Sequence, residues 1–166
     1  MNGEKKYILD QQSADKKLRR MALEIVENNY GEREIILAGI KEKGFIVARC
    51  IRDILQETSA FRLSLIHITL DKQNPVDVQL SETPDMNDKI VIIVDDVVNS
   101  GKTLTYAMKP FLEHHPKKIQ ILILVERTHT FFPVRPDYVG QSLATTLQEQ
   151  IIVEIDGSTV AGAYLQ

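Results

Sequence analysis

Cysteine is nearly absent from the 166-residue chain: Cys50 is the only one, so no internal disulfide and no cysteine-built zinc site can form. No apolar run approaches the roughly 18 to 20 residues that a membrane-spanning helix needs. The opening stretch MNGEKKYILDQQ lacks the apolar centre of a secretory signal. These absences set the expectation of a cytoplasmic protein without a membrane partner. A large excess of charge of one sign is lacking as well. A net charge of -3 argues against a protein that coats nucleic acid over its whole surface, while leaving room for a local basic face. There is no internal repeat, no low-complexity tract and no linker long enough to divide the chain, so residues 1–166 read as a single domain.

What is present is an alternation of helical and strand patterns. SADKKLRRMALEIVENN places Leu18, Met21, Ala22, Ile25 and Val26 at helical spacing, with charges opposite. EIILAGI reads as a buried strand, GFIVARCIRDILQE as a second amphipathic helix, and RLSLIHITL, IVIIVDD and IQILILVE as further strands. A helix is expected from about Lys102 to His114, kinked or cut short by Pro110. The strands are aliphatic without polar alternation, which predicts an α/β fold: a parallel sheet with helices on both faces. The polar connection Asp71 to Lys89 is long for a segment without structure and predicts a flap or a hairpin.

The informative stretch is VIIVDDVVNSGKT, Val91 to Thr103. In a parallel sheet, ligands bind beyond the carboxyl ends of the strands, and Asp95-Asp96 stands at such an end. The turn that follows leads into a helix, so its N–H groups can cradle a phosphate monoester. Gly101 permits a positive φ there, and Ser100, Thr103 and Thr105 can add hydroxyl hydrogen bonds. Carboxylate acceptors beside a phosphate cup match a ribose 5-phosphate, hydroxyls at one end and phosphate at the other. An ATP-binding loop is rejected: where that loop requires its first glycine, this chain has Asp96.

A hydrophobic strand, two acidic residues and a small-residue loop ending in Gly-x-Thr resemble the phosphoribosyl pyrophosphate signature of type I phosphoribosyltransferases. YILDQQ, ILAGIKEKG, ITL, VDDV, IQILILVERTH and RPDYVGQSLATT, in that order, are similar to the pyrimidine operon attenuator/uracil phosphoribosyltransferase family. The resemblance implies the fold of that group, with a small hood region. It implies transfer of a nucleobase, uracil first and hypoxanthine or guanine next, onto phosphoribosyl pyrophosphate. It also implies a homo-oligomer. Asp95 and Asp96 would hold the ribose 2- and 3-hydroxyls, and Val98, Asn99, Ser100, Gly101, Lys102 and Thr103 the 5-phosphate. Lys41 and Lys43 would meet the pyrophosphate, with Gly39 and Gly44 letting the backbone come close. Mg²⁺ would be held mainly by substrate oxygens, with Asp95 reaching it through water. Val125 to Arg127 and Tyr138-Val139 would flank the base. RNA-binding members of the family offer a second reading, in which Lys16, Lys17, Arg19 and Arg20 contact a messenger hairpin; the bland alternative is a solvated helix face.

The chain departs from the family pattern in three places. The Tyr-Arg-Asp-Asp that usually follows ITL is replaced by Asp71-Lys72-Gln73-Asn74, leaving Lys72 to supply the positive charge. Glu42 introduces an anion into the pyrophosphate loop, and RTHTFFP replaces Arg-Gly-His-Arg-Glu-Leu-Pro. Among the histidines only His129 is placed near the site. His67, His114 and His115 have neither the spacing nor the neighbours of metal ligands, and His67 is assigned to packing. Cys50 is assigned to the core, and Phe131-Phe132 to either a stacking platform or an interface patch. No nucleophile–base triad is visible, and glycosyl transfer through an oxocarbenium-like state requires none.

Overall fold

The computed structural model describes residues 4–146 and 148–166. Helix α1 (Gln11–Asn28) starts where Asp10 accepts the Ser13 N–H at 2.7 Å, and that bond holds the Asp10 carboxyl below its ordinary pKa. The helix buries Ala14, Leu18, Met21, Ala22 and Ile25, the stripe its periodicity predicts. The expected strands appear as β2 (Glu34–Ile40), β3 (Arg62–Thr69), β5 (Ile90–Val98) and β6 (Lys118–Arg127). Helix α2 (Lys41–Thr58) follows β2 with no intervening loop.

The main sheet has the order β4-β3-β2-β5-β6-β7, in which β7 (Tyr138–Leu143) extends the parallel set. β4 (Gln79–Leu80) folds back antiparallel on β3. The segment 71–89 is therefore a short hairpin return that covers the sheet edge, rather than a free flap. Ser81 ties it down: its hydroxyl accepts the His67 N–H, and its own N–H donates to the His67 carbonyl.

One face of the sheet packs under α1 and α2. The other packs under the short helices α3 (Lys102–Ala107) and α4 (Lys109–Leu112), with Leu104, Ala107 and Phe111 buried. The expected helix over this region breaks at Met108, one residue before Lys109-Pro110 opens α4. Proline lacks the N–H that a continuous helix would use.

A second sheet sets β9 (Thr159–Leu165) between β1 (Lys6–Leu9) and β8 (Ile151–Asp156). Val153, Val160, Ala163 and Leu165 share the core of α1 and α2. The hood thus comes from the two ends of the chain, and segment 71–89 contributes nothing to it. Cys50 is half-buried against this core, and burial pushes its thiol pKa up, in keeping with a packing role.

Candidate active site

β5 lies between β2 and β6 and carries the acidic pair to its carboxyl end. Asp95 is 1% exposed and Asp96 7%, the only buried carboxylates among the described residues. Burial is the main force raising the Asp95 pKa well above the ordinary range, the Asp96 charge adds to it, and Lys72 opposes it. Asp95 Oδ1 also accepts the Asp96 N–H at 2.9 Å, which fixes the carboxylate plane.

Past the pair, the chain turns through Asn99–Gly101 into α3. Gly101 takes φ 86°, the left-handed conformation anticipated for it, and Ser100 Oγ accepts the Lys102 N–H at 3.2 Å. The loop is braced from outside. The Ser100 carbonyl accepts the N–H groups of both Phe131 and Phe132, at 2.9 and 3.1 Å. Val98 does not join this turn. It is buried and still paired with β6, so the cup begins at Asn99.

A cavity lies on each side of the acidic pair. One, of about 570 Å³, runs from Asn99 and Ser100 past Arg127, His129 and Phe131 to Ile151 at the hood. The other, of about 580 Å³, is lined by Lys41, Glu42, Lys43, His67, Lys72 and Asp96. Lys41 holds φ 52°, rare for a residue with a side chain and costing about 1–2 kcal/mol, which marks this turn as held by its surroundings.

Not every expected contact forms. Lys43 lines the second cavity, but its ammonium donates to the Val153 carbonyl of the hood at 2.8 Å. Glu42 is exposed and makes no ion pair with Lys43. Gly39 and Gly44 serve protein packing. A Cβ on Gly39 would lie 2.3 Å from Phe45 Cα, and one on Gly44 2.8 Å from the Val94 carbonyl. At both positions the missing side chain lets α2 close tightly on β2 and β5.

Arg127 is held within the protein by three hydrogen bonds. Its guanidinium donates to Asn99 Oδ1 at 3.2 Å and to the carbonyls of Thr146 and Glu149 at 2.5 and 2.6 Å. It links the phosphate loop to the approach of the hood and so frames the cavity.

Tyr138 and Val139 are not brought to the site. They pair with Leu122 and Ile123, about 15 Å along the strand from its carboxyl end. Tyr138 is 0% exposed, its hydroxyl donating to Gln120 and accepting from Asn29. Tyr138→Phe is accordingly expected to lower stability by about 1 kcal/mol in urea melts while leaving catalytic constants unchanged. A selective rise in the KM for the base would contradict that placement.

Three features of the site were not anticipated. Ile151, Thr145 and Gln150 line the first cavity from the hood side. His67, expected to do no more than pack, lies against Phe45 in a tilted pair with ring centroids 5.0 Å apart and also lines the second cavity. The third is the posture of Lys72, whose ammonium lies 3.3 Å from Asp95 and 3.8 Å from Asp96. His129, by contrast, lines the first cavity as expected.

The fold thus brings together a buried acid pair at a strand end, a turn into a short helix beyond it and a cavity to either side. The chain matches the phosphoribosyl transferase domain family over residues 5–155 and belongs to that family. Within reach of it are proteins named Bifunctional protein PyrR. The one from Clostridium acetobutylicum is 36% identical over 163 residues, covering 92% of each chain. The one from Ligilactobacillus salivarius is 35% identical over 163 residues, covering 91% of this chain and 92% of its own. Solved structures share the fold. A hypoxanthine-guanine phosphoribosyltransferase from Bacillus anthracis superposes with TM-score 0.77 at 20% identity, covering 97% of this chain and 98% of its own. The hypoxanthine phosphoribosyltransferase of Trypanosoma cruzi does so with TM-score 0.78 at 14% identity, covering 96% and 95%. The protein is a phosphoribosyltransferase by family and by fold.

Proposed function

We propose that the protein joins uracil to phosphoribosyl pyrophosphate, giving uridine 5-monophosphate and pyrophosphate. The observation that carries this is the buried Asp95–Asp96 pair with a phosphate turn on one side and a lysine-lined cavity on the other. The ribose 2- and 3-hydroxyls donate to the carboxylates, and the 5-phosphate sits on the Asn99–Thr103 turn. The base lies in the cavity between Arg127 and Ile151. Pyrophosphate lies toward Lys41, whose ammonium has no protein partner among the described residues.

Bond making and breaking then need only positioning. The base nitrogen forms its bond to C1 as the C1–oxygen bond to pyrophosphate breaks, with positive charge building on the sugar between. The departing pyrophosphate keeps the electron pair of the broken bond, and the proton that the base nitrogen gives up passes to it or to solvent water. The Asp95–Asp96 carboxylates favour the positive sugar, Lys41 favours the leaving group, and the hood keeps water away.

The donor set fits a divalent ion held by the substrate. Asp95, a hard oxygen donor at the strand end, would reach Mg²⁺ through water while substrate oxygens supply the rest of its shell. When bound, Mg²⁺ adds neutralising charge on the pyrophosphate.

A second reading, an RNA-binding regulator, draws support from the relatives named bifunctional. Its basic face is thin: Lys16 and Arg19 are exposed on α1, while Arg20 is committed to Glu24 and to the carbonyls of Val139 and Gly140. We keep catalysis first, in a cytoplasmic homodimer. The test offers uracil, hypoxanthine, guanine, xanthine and adenine separately with Mg²⁺ and phosphoribosyl pyrophosphate, and separates the nucleotides by chromatography. Uridine 5-monophosphate is the expected product. A purine nucleotide alone would move the assignment to the hypoxanthine-guanine branch, and no nucleotide from any base would favour the regulator.

A further inference from the structure

Lys72 touches two places that the proposed reaction keeps apart. Its ammonium sits over the acidic pair, 3.3 Å from Asp95 Oδ2 and 3.8 Å from Asp96 Oδ1, where the sugar hydroxyls would donate. The same side chain lines the cavity that Lys41 faces, where pyrophosphate would lie. Its side chain is 41% exposed, so it can swing, whereas the two carboxylates are only 2% and 10% exposed and cannot follow. Two buried anions side by side need a cation near them, and among the described residues Lys72 is the one paired with both. A pyrophosphate group, bearing several charges and less than one side-chain length away, competes for that cation on favourable terms.

We infer that Lys72 is a two-position cation: it occupies the sugar seat of the free protein and is drawn into the neighbouring cavity by a ligand that carries pyrophosphate. This rests on the proposed assignment of the two cavities. Its consequence is a specificity that a fixed lysine could not give. Phosphoribosyl pyrophosphate clears its own sugar seat and gains a charge-assisted contact, while the nucleoside monophosphate product has nothing to attract Lys72 and must displace it unaided. Lys72 therefore strengthens substrate binding and weakens product binding, which helps the product to leave. The residue sits at the start of the hairpin return from β3, a surface position on which neither hydrophobic core depends.

The test is calorimetric titration of the full chain with Mg²⁺-phosphoribosyl pyrophosphate and, separately, with uridine 5-monophosphate. Lys72→Met is expected to weaken the first about tenfold, the size of one lost charge-assisted hydrogen bond, and to tighten the second about threefold. Lys72→Arg keeps the charge and is expected to stay within about threefold of the wild type for both ligands. Any pattern in Lys72→Met other than opposite shifts overturns the inference, as does a Lys72→Arg protein that shifts as far as Lys72→Met. A wild-type protein that binds neither compound overturns the functional assignment, and the inference with it.

Discussion

Asp96→Asn is expected to lower kcat/KM about hundredfold without unfolding the protein. A sugar hydroxyl donating to a carboxylate is a charge-assisted hydrogen bond, worth about 1.5–3 kcal/mol, and each 1.4 kcal/mol is about tenfold in rate. The amide keeps the shape and loses the charge that favours the positive sugar in the transition state. Stability should move the other way. The Asp96 charge is one cause of the raised Asp95 pKa. A carboxyl whose folded pKa is raised contributes stability that is full below its unfolded pKa, about 4, and is lost as pH rises through the folded value. The wild type should therefore lose stability over that window, and Asp96→Asn should lose less. Thermal melts from pH 4 to pH 8 beside steady-state rates check both halves. An Asp96→Asn enzyme with wild-type kcat/KM would remove the acidic pair from the sugar site.

Gly39→Ala is expected to destabilise the protein by about 3 kcal/mol or more, the upper range for overpacking a core. Propensity alone predicts the opposite sign, because alanine is the better residue in a strand interior by about 0.5–1 kcal/mol. Steric contact decides it. The added methyl would stand 2.3 Å from Phe45 Cα and 2.7 Å from its nitrogen, and both atoms belong to the backbone of α2. Relief requires lifting the first turn of the helix, and that turn carries Lys41 and the second cavity. Urea denaturation gives the measurement. A variant with the wild-type midpoint would mean that α2 does not rest on β2 as described.

Much of this was legible beforehand, for physical reasons that differ by region. The strands at β2, β5 and β6 are largely buried aliphatic runs, while β3 alternates polar residues with aliphatic ones and buries only Ile66 and Ile68; for all four the expected bounds differ from the observed ones by at most two residues. The acidic pair and its turn were readable because their chemistry is local: neighbouring residues do the work and spacing is enough. The hood was not. Its strands meet only when the two ends of the chain come together, Lys6 opposite Leu165, and no local period announces such a pairing. One signal was available. Gly157-Ser158, with Gly157 at φ 59°, closes a two-residue hairpin between Asp156 and Thr159, and a glycine opening such a turn is a recognisable mark.

The site residues divide along the same line. Tyr138 belongs to a motif that the family resemblance places near the base, yet the β6–β7 register sets it opposite Leu122, in the middle of β6. Arg127 and Lys43 carry the charges expected of them but are held by hood carbonyls and loop groups that only the folded chain brings near. Lys72 is the reverse case. Its charge was readable, while its posture over both aspartates depends on how the return from β3 folds.

The central claim is tested most directly by following pyrophosphate release from phosphoribosyl pyrophosphate with Mg²⁺, in the presence and absence of uracil. The account predicts release that requires uracil and yields uridine 5-monophosphate in equal amount. A protein that binds phosphoribosyl pyrophosphate yet releases no pyrophosphate with uracil or any other base would contradict it.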